Sequence, residues 1–239
     1  MNKKTCPVLI FSSEMKPKTI IRKMISMRSR RPLDQLTKAE LEKVLKWIST
    51  LPIYFVDVYG ELGLKELKDS IYYARRRYGI EFVVIDHLHF FLKYSPDYER
   101  QGIDQGLKEI KAWAMDLGIH ILLIVHPTKL TYDNKVVHLN DLKGSSGLKQ
   151  IPDNVLSIWR PRGENDLKNP QNQIVLHLLK VRDDSGDEGK VIMTFDKGSQ
   201  SYEDSGPDLA RSVEGEKGSG LSSPSSRPPE RHWLNGYDS

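Results

Sequence analysis

The fold of this chain is decided by one stretch, Phe82-Val83-Val84-Ile85-Asp86-His87-Leu88-His89-Phe90. Its apolar, mostly β-branched run is too short for a helix and lies between Gly79 and a polar segment with Pro96, so it predicts a strand buried on both faces. In an open parallel sheet, ligands bind at the carboxyl ends of the strands, so we expect Asp86 to point into a site. Two interpretations stay open: Asp86 holds Mg²⁺, usually through a water, beside a nucleotide phosphate, or it merely ends a strand.

The composition limits the class of protein. With 239 residues, 38% of them hydrophobic, the chain can bury one sizeable core and carry a tail or a small appendage. The net charge of +4 is modest, and the arginine clusters at 28–31 and 75–77 fit either nucleic acid or a solvated face. The single cysteine, Cys6, excludes an internal disulfide and a cysteine-built zinc site. No apolar run approaches the roughly 18 residues of a membrane span, so no membrane partner is expected.

Strands and helices alternate in the first half of the chain. Apolar runs predict strands, helical periodicity predicts helices, and Thr37-Lys38-Ala39-Glu40 matches a capping box at a helix start. The predicted strands are 8–11, 53–58, the stretch from Phe82 and 120–125, and the predicted helices are 17–27, 38–48, 64–78 and 102–117. This alternation is typical of an α/β fold, a mostly parallel sheet with helices on both faces.

The second half follows a different pattern. Short strands predicted at 154–159, 173–181 and 190–195 have no helix between them, so we expect an antiparallel C-terminal extension of the sheet. From about Glu203 onward, serine, proline, glycine and charged residues dominate. The segment 203–239 is therefore predicted to be a disordered tail.

Four polar signals lie at or beside the ends of predicted strands: Glu14, Asp86, His126 and Lys180-Val181-Arg182. Together with the glycine- and lysine-bearing segment 142–149, their order resembles the RecA-like motor domain of DnaB-like hexameric replicative helicases, nearest the Twinkle and phage primase-helicase branch. The resemblance covers roughly residues 7–197 and implies a partial RecA-like motor domain at 1–202. It also implies ATP or another NTP, Mg²⁺, single-stranded DNA and a homo-oligomeric ring, expected to be a hexamer.

The resemblance implies roles for three of these residues. Glu14 corresponds to the catalytic base that polarises the attacking water, Asp86 to the metal-associated aspartate, and His126 to a sensor that touches the γ-phosphate. A carboxylate on a different strand from the metal-bound aspartate can accept a proton from that water. Simpler interpretations remain: Glu14 as an acid favoured by a helix N-terminus, and His126 as a structural histidine ending a strand.

The glycine- and lysine-bearing segment resembles the DNA-binding loop of that family. Glycines let the backbone approach a DNA strand, and lysines neutralise its phosphates; an ordinary flexible turn is the alternative. The implied DNA-binding residues are Lys143, Gly144, Ser145, Ser146, Gly147 and Lys149.

The basic pair Lys180 and Arg182 lies where the family has a lysine and an arginine finger that enter the neighbouring subunit's nucleotide site. Such an arginine stabilises charge that develops on a phosphate bound next door, which implies a ring. Val181 departs from the asparagine that the family commonly has between the two basic residues. The alternative is a salt bridge within a hairpin.

One expected motif is absent from this sequence. No Gly-x-x-x-x-Gly-Lys-Ser/Thr occurs, and the only Gly-Lys pair, at 189–190, is followed by Val191. The phosphate-cradling loop should precede the strand at Val8, so the chain is expected to be N-terminally truncated, either a fragment or a degenerate copy. Little or no ATPase activity is expected of the chain alone.

Three functions compete on this basis. The first is part of an ATP-dependent replicative DNA helicase, 5′–3′ by resemblance, that translocates on single-stranded DNA. The second is a non-catalytic, ATPase-deficient subunit that binds DNA or modulates a ring, and the third is a RecA-like recombinase relative. The Twinkle-like pattern suggests mitochondria, with a bacterial or phage cytoplasmic origin left open.

Overall fold

The computed structural model describes residues 5–57, 63–88, 99–126, 139, 147–160, 172–182 and 188–204. Several sequence predictions fall outside these residues. They are the DNA-loop residues Lys143, Gly144, Ser145 and Ser146, and the tail from residue 205 onward.

Four parallel strands form the first sheet, in the order β2-β1-β3-β4. Their bounds are β1 Val8–Ser12, β2 Ile53–Val56, β3 Phe82–Asp86 and β4 His120–Leu123. The predicted parallel sheet is confirmed, although β2 and β4 each end two residues early. Hydrogen bonding to β3 nevertheless continues past β4, because the Ile124 N–H donates to the Ile85 carbonyl over 2.9 Å.

Four helices lie between these strands in the sequence: α1 Pro17–Ser29, α2 Lys38–Ile48, α3 Leu64–Tyr78 and α4 Glu99–Leu117. The predicted capping box opens α2, where the Glu40 N–H donates to Thr37 Oγ1 over 3.3 Å and the Thr37 N–H donates to Glu40 Oε2 over 2.9 Å. Helix α4 begins three residues before its predicted start. Its first turn is polar, so apolar periodicity could not reveal it.

The core lies on one face of the parallel sheet. Fully or nearly fully buried side chains of β1 and β3 pack there with α3 and α4: Leu9, Phe11, Val83, Ile85, Leu67, Ile71, Ile103, Leu107 and Trp113. On the opposite face Val84 is only partly buried, and Leu122 of β4 is exposed. Complete burial of β3 on both faces was therefore a wrong prediction, since α3 and α4 share one face.

The later strands form a sheet of their own, antiparallel and in chain order: β5 Asn154–Trp159, β6 Gln173–Val181, β7 Gly189–Asp196 and β8 Ser201–Asp204. Strand β8 was not predicted, and it includes Glu203 and Asp204, the first residues of the expected tail. A turn joins it to β7, in which Asp196 accepts hydrogen bonds from the N–H groups of Gly198 and Ser199 over 2.9 and 3.1 Å. The rings of Phe195 and Tyr202, which are cross-strand partners, contact each other at a tilt of 43° with centroids 4.9 Å apart.

Contacts between α4 and the segment before β5 join the two sheets. The short helix α5, Gly147–Gln150, begins with its Gly147 N–H donating to Asp104 Oδ1 over 3.1 Å, and it buries Leu148 in the core. Lys111 of α4 pairs with Asp153 just before β5. None of the described helices is long and apolar enough to span a membrane.

Candidate functional site

Asp86 is held in place at the carboxyl end of β3. The parallel register sets it opposite Ser12 of β1, whose hydroxyl donates to Asp86 Oδ2 over 2.8 Å. That hydroxyl in turn accepts the Met15 N–H over 3.0 Å. The Asp86 residue is 8% exposed, so its carboxylate is oriented at the edge of the sheet and largely shielded from water.

Glu14 reaches the same edge through a turn after β1. The N–H and the hydroxyl of Ser13 donate to the Asp86 carbonyl over 2.8 and 3.1 Å, which directs the chain off the sheet. Glu14 Oε1 then lies 3.1 Å from His126 Nε2 and 3.2 Å from His87 Nδ1. The two imidazole rings approach edge to face, with centroids 4.7 Å apart.

Three predicted site residues, Glu14, Asp86 and His126, therefore meet at one edge of the parallel sheet. The Glu14 and His126 side chains are about half exposed, at 50% and 56%, whereas Asp86 is nearly buried. A buried, oriented carboxylate suits a fixed structural or metal-associated role, and an exposed one can reach water. Their assigned roles in catalysis stay predictions.

Two residues of this site, His87 and Ser12, were not identified from the sequence. His87 directly follows Asp86, so its position just beyond a strand end was a usable signal. Ser12 could have been found only through the register of β1 against β3, which depends on residues 74 positions apart in the chain.

The carboxylates at this edge fit a magnesium ion with a nucleotide. Mg²⁺ takes oxygen ligands, keeps several waters, and is usually held by one or two carboxylates together with substrate phosphates. The Asp86 carboxylate provides such oxygens, and the Glu14 carboxylate lies at the same edge of the sheet. This sequence contains no Gly-x-x-x-x-Gly-Lys-Ser/Thr motif, which in related sites forms the loop that cradles the phosphates.

Lys180, near the end of β6, holds the end of α5. Its ammonium donates to the carbonyls of Lys149, Gln150 and Pro152 over 2.8, 3.1 and 2.8 Å. Burial is the main cause that lowers the pKa of Lys180, and the nearby Arg182 charge adds to it. The lysine thus donates hydrogen bonds to carbonyls that a helix C-terminus leaves without intrahelical partners.

Arg182 binds the same segment. Its Nη2 donates to the Gln150 carbonyl over 2.6 Å, and its Nη1 pairs with Asp153 Oδ1 over 3.0 Å. The hydrogen bond from Lys111 is the main cause that lowers the pKa of Asp153, with further contributions from the charges of Lys111, Arg182 and Lys180. These contacts match the alternative of a salt bridge within the chain, and the expected action in a neighbouring subunit stays a prediction.

Two of the six implied DNA-binding residues, Gly147 and Lys149, lie in the described α5. Asp104 binds the first turn of this helix, and Lys180 and Arg182 bind its last carbonyls. The end of the segment is therefore an anchored helical turn instead of a flexible one. Its part in DNA binding stays a prediction.

Comparison with known proteins identifies relatives. The family model of the DnaB-like helicase C-terminal domain matches residues 1–204. A DNA helicase/primase of Enterobacteria phage T3 is 26% identical over 164 residues, which are 64% of this chain and 28% of that protein. The replicative DNA helicase DnaB of Haemophilus influenzae is 24% identical over 208 residues, which are 79% of this chain and 43% of that protein. The chain thus spans less than half the length of either relative.

Solved structures share the fold. An ATPase domain superposes with a TM-score of 0.69 at 20% identity, covering 82% of this chain and 74% of that one. A DnaB-like replicative helicase, described with its interactions with primase, gives a TM-score of 0.69 at 21% identity over 82% of this chain and 51% of that one. The expected RecA-like fold and the resemblance to DnaB-like helicases are confirmed. The relatives come from a phage and a bacterium and give no support to a mitochondrial location.

Proposed function

This chain belongs to the DnaB-like helicase C-terminal domain family, and on that basis we propose that it forms part of the motor of a replicative DNA helicase. Its relatives support a helicase-type function. The observation that carries the proposal is the meeting of Glu14 with the ends of β3 and β4, where Asp86 and His126 lie. In this proposal the motor uses ATP or another NTP and moves 5′–3′ along single-stranded DNA.

Each residue at this edge has a distinct part in the proposed reaction. Asp86, fixed by Ser12, holds Mg²⁺, which supplies positive charge against the phosphate oxygens when it is bound. Glu14 is the general base, because its half-exposed carboxylate can accept a proton from an attacking water. His126 touches Glu14 directly, so it can change position when the base does.

The proposed DNA contact is the segment that ends in α5. Lysines at 143 and 149 neutralise strand phosphates there, and the anchoring of Gly147 by Asp104 ties the segment to α4. A homo-oligomeric ring, proposed to be a hexamer, would bring several such segments around one strand. A phage or bacterial origin is favoured by the two relatives.

A second candidate function is a non-catalytic subunit that binds DNA or modulates a ring. One observation favours it: Lys180 and Arg182 bind their own chain. Both candidates predict little or no ATP hydrolysis by this chain alone. An in-frame Gly-x-x-x-x-Gly-Lys-Ser/Thr upstream of Met1 in the gene would favour the motor.

The test uses the purified chain. We expect binding of a single-stranded oligonucleotide to weaken about sevenfold between roughly 50 and 200 mM salt, because two neutralised phosphates give a log-log slope near −1.4 on single strands. Steady-state ATP hydrolysis with that DNA should stay at background for the wild type, for Glu14→Gln and for the exposed-carboxylate control Glu42→Gln. ATP turnover by the wild type that Glu14→Gln abolishes and Glu42→Gln leaves unchanged would show that this chain hydrolyses ATP by itself. DNA binding that is absent at every salt concentration would refute the proposed DNA contact.

A further inference from the structure

Glu14, His87 and His126 bring three metal-binding atoms together. Glu14 Oε1 lies 3.1 Å from His126 Nε2 and 3.2 Å from His87 Nδ1, and all three atoms lie within 4.8 Å of one another. We propose that these side chains form a binding site for a transition-metal dication, with Zn²⁺ as the reference ion. This site is distinct in its chemistry from the proposed Mg²⁺ position at Asp86.

The two distances from Glu14 to the histidine nitrogens suit a tetrahedral ion. Zinc binds imidazole nitrogen and carboxylate oxygen at about 2.0–2.2 Å, and a tetrahedral angle then separates neighbouring ligand atoms by about 3.3–3.5 Å. The two contacts of Glu14 are 3.1 and 3.2 Å long, within a few tenths of an ångström of that value. The two histidine nitrogens lie within 4.8 Å of each other, so a movement of the rings that brings these nitrogens to the same spacing would complete the geometry.

The ligand chemistry selects the class of metal. Two imidazole nitrogens with one carboxylate are a set found with zinc, and also with iron, where open positions remain. Magnesium prefers oxygen ligands alone and is disfavoured by the histidines. Since the Glu14 and His126 side chains are 50% and 56% exposed, an ion can enter from solvent and retain a water in its fourth position.

The backbone holds the two histidines in register before any metal binds. The Leu88 N–H donates to the Ile124 carbonyl over 3.1 Å, and the Ile124 N–H donates to the Ile85 carbonyl over 2.9 Å. These bonds clamp the segments that carry His87 and His126 to each other. A site whose ligands are placed in advance loses less conformational entropy on binding.

Occupation of this site has a consequence for the proposed reaction. A Glu14 carboxylate bound to zinc cannot also accept a proton from water, so the ion would silence the general base. That consequence rests on the proposed function, whereas metal binding itself does not. If the chain binds zinc but not DNA, the metal site is supported and the proposed DNA contact is refuted.

The experiment measures zinc affinity of the purified full chain by competition with a chromophoric chelator, and the visible absorption of bound Co²⁺ as a spectroscopic signature. We expect one ion per chain. His126→Ala and Glu14→Gln should each weaken Zn²⁺ binding by at least about 100-fold, because loss of a partner outside the ligand set already costs roughly 10–100-fold. Both positions are half exposed, so folding should persist, and circular dichroism verifies this.

Two control variants distinguish zinc binding at this site from zinc binding by other side chains of the same chain. His120→Ala removes an exposed histidine at the opposite end of β4, and Cys6→Ser removes the exposed thiol before β1; neither should change the affinity. The proposal is overturned if the wild type binds Zn²⁺ no more tightly than His126→Ala. It is equally overturned if the loss of affinity follows His120→Ala or Cys6→Ser.

Discussion

Replacement of Lys180 by methionine tests whether this lysine stabilises its own chain. The substitution keeps a long side chain but removes three hydrogen bonds to the carbonyls of Lys149, Gln150 and Pro152. A hydrogen bond from a charged donor contributes about 1.5–3 kcal/mol, but one partly solvated ammonium shares these three. We therefore expect Lys180→Met to lower the free energy of unfolding by about 2–3 kcal/mol.

Urea unfolding followed by circular dichroism measures this change. With an m value of about 2 kcal/mol/M, the midpoint should fall by about 1–1.5 M. The matched control is Lys190→Met, which changes an exposed lysine on the neighbouring strand β7 and should shift the midpoint by less than about 0.3 M. Equal, small shifts for both variants would refute the stabilising role and leave Lys180 available for a neighbouring subunit.

Three further predictions concern single side chains. The hydrogen bond from Lys111 lowers the pKa of Asp153 below its usual 3.8. The ionised Asp153 carboxylate therefore stabilises the folded chain above about pH 3.8, and this stabilisation is lost as the pH falls through the lower folded pKa. Asp153→Asn should therefore be less stable at neutral pH and show a flatter loss of stability below about pH 4, which acid titration of the unfolding midpoint measures. Hydrogen bonds from the backbone of Thr37 and from Arg31 lower the pKa of Glu40 to about 2; carbon-detected NMR titration checks this value, and a midpoint near 4.5 would contradict the capping box as described. Lys149→Gln should reduce the log-log salt slope of single-stranded DNA binding by about 0.7; an unchanged slope, measured by fluorescence anisotropy, would exclude this side chain from phosphate contact.

Local patterns in the sequence were sufficient to predict the parallel half of the fold. The continuous apolar runs at Val8 and Phe82 identified β1 and β3, and their ends located Glu14 and Asp86. The Thr37 capping box identified the start of α2. These signals work because each depends on residues within one turn or one strand.

Features that depend on distant partners escaped prediction. Strand β8 pairs with β7 through a turn stabilised by Asp196, and nothing in its short, polar sequence indicates a strand. His87 gains its significance only where β4 brings His126 against it, about 40 positions along the chain. The antiparallel strands were recognised, but they form a second sheet instead of the expected extension of the first one.

The contacts of Lys180 and Arg182 show why charge pattern alone did not settle their role. Lys180 lies near the end of β6 and Arg182 just after it, and residues two positions apart in extended chain point to the same side. Either a phosphate or a set of backbone carbonyls can bind two such cations. A lysine ammonium has three N–H donors, and in this structure three carbonyls of the α5 segment take them. Contact with a neighbouring subunit's phosphate therefore requires at least one of these bonds to break. A large destabilisation by Lys180→Met would mean that such a contact competes with the anchoring of α5.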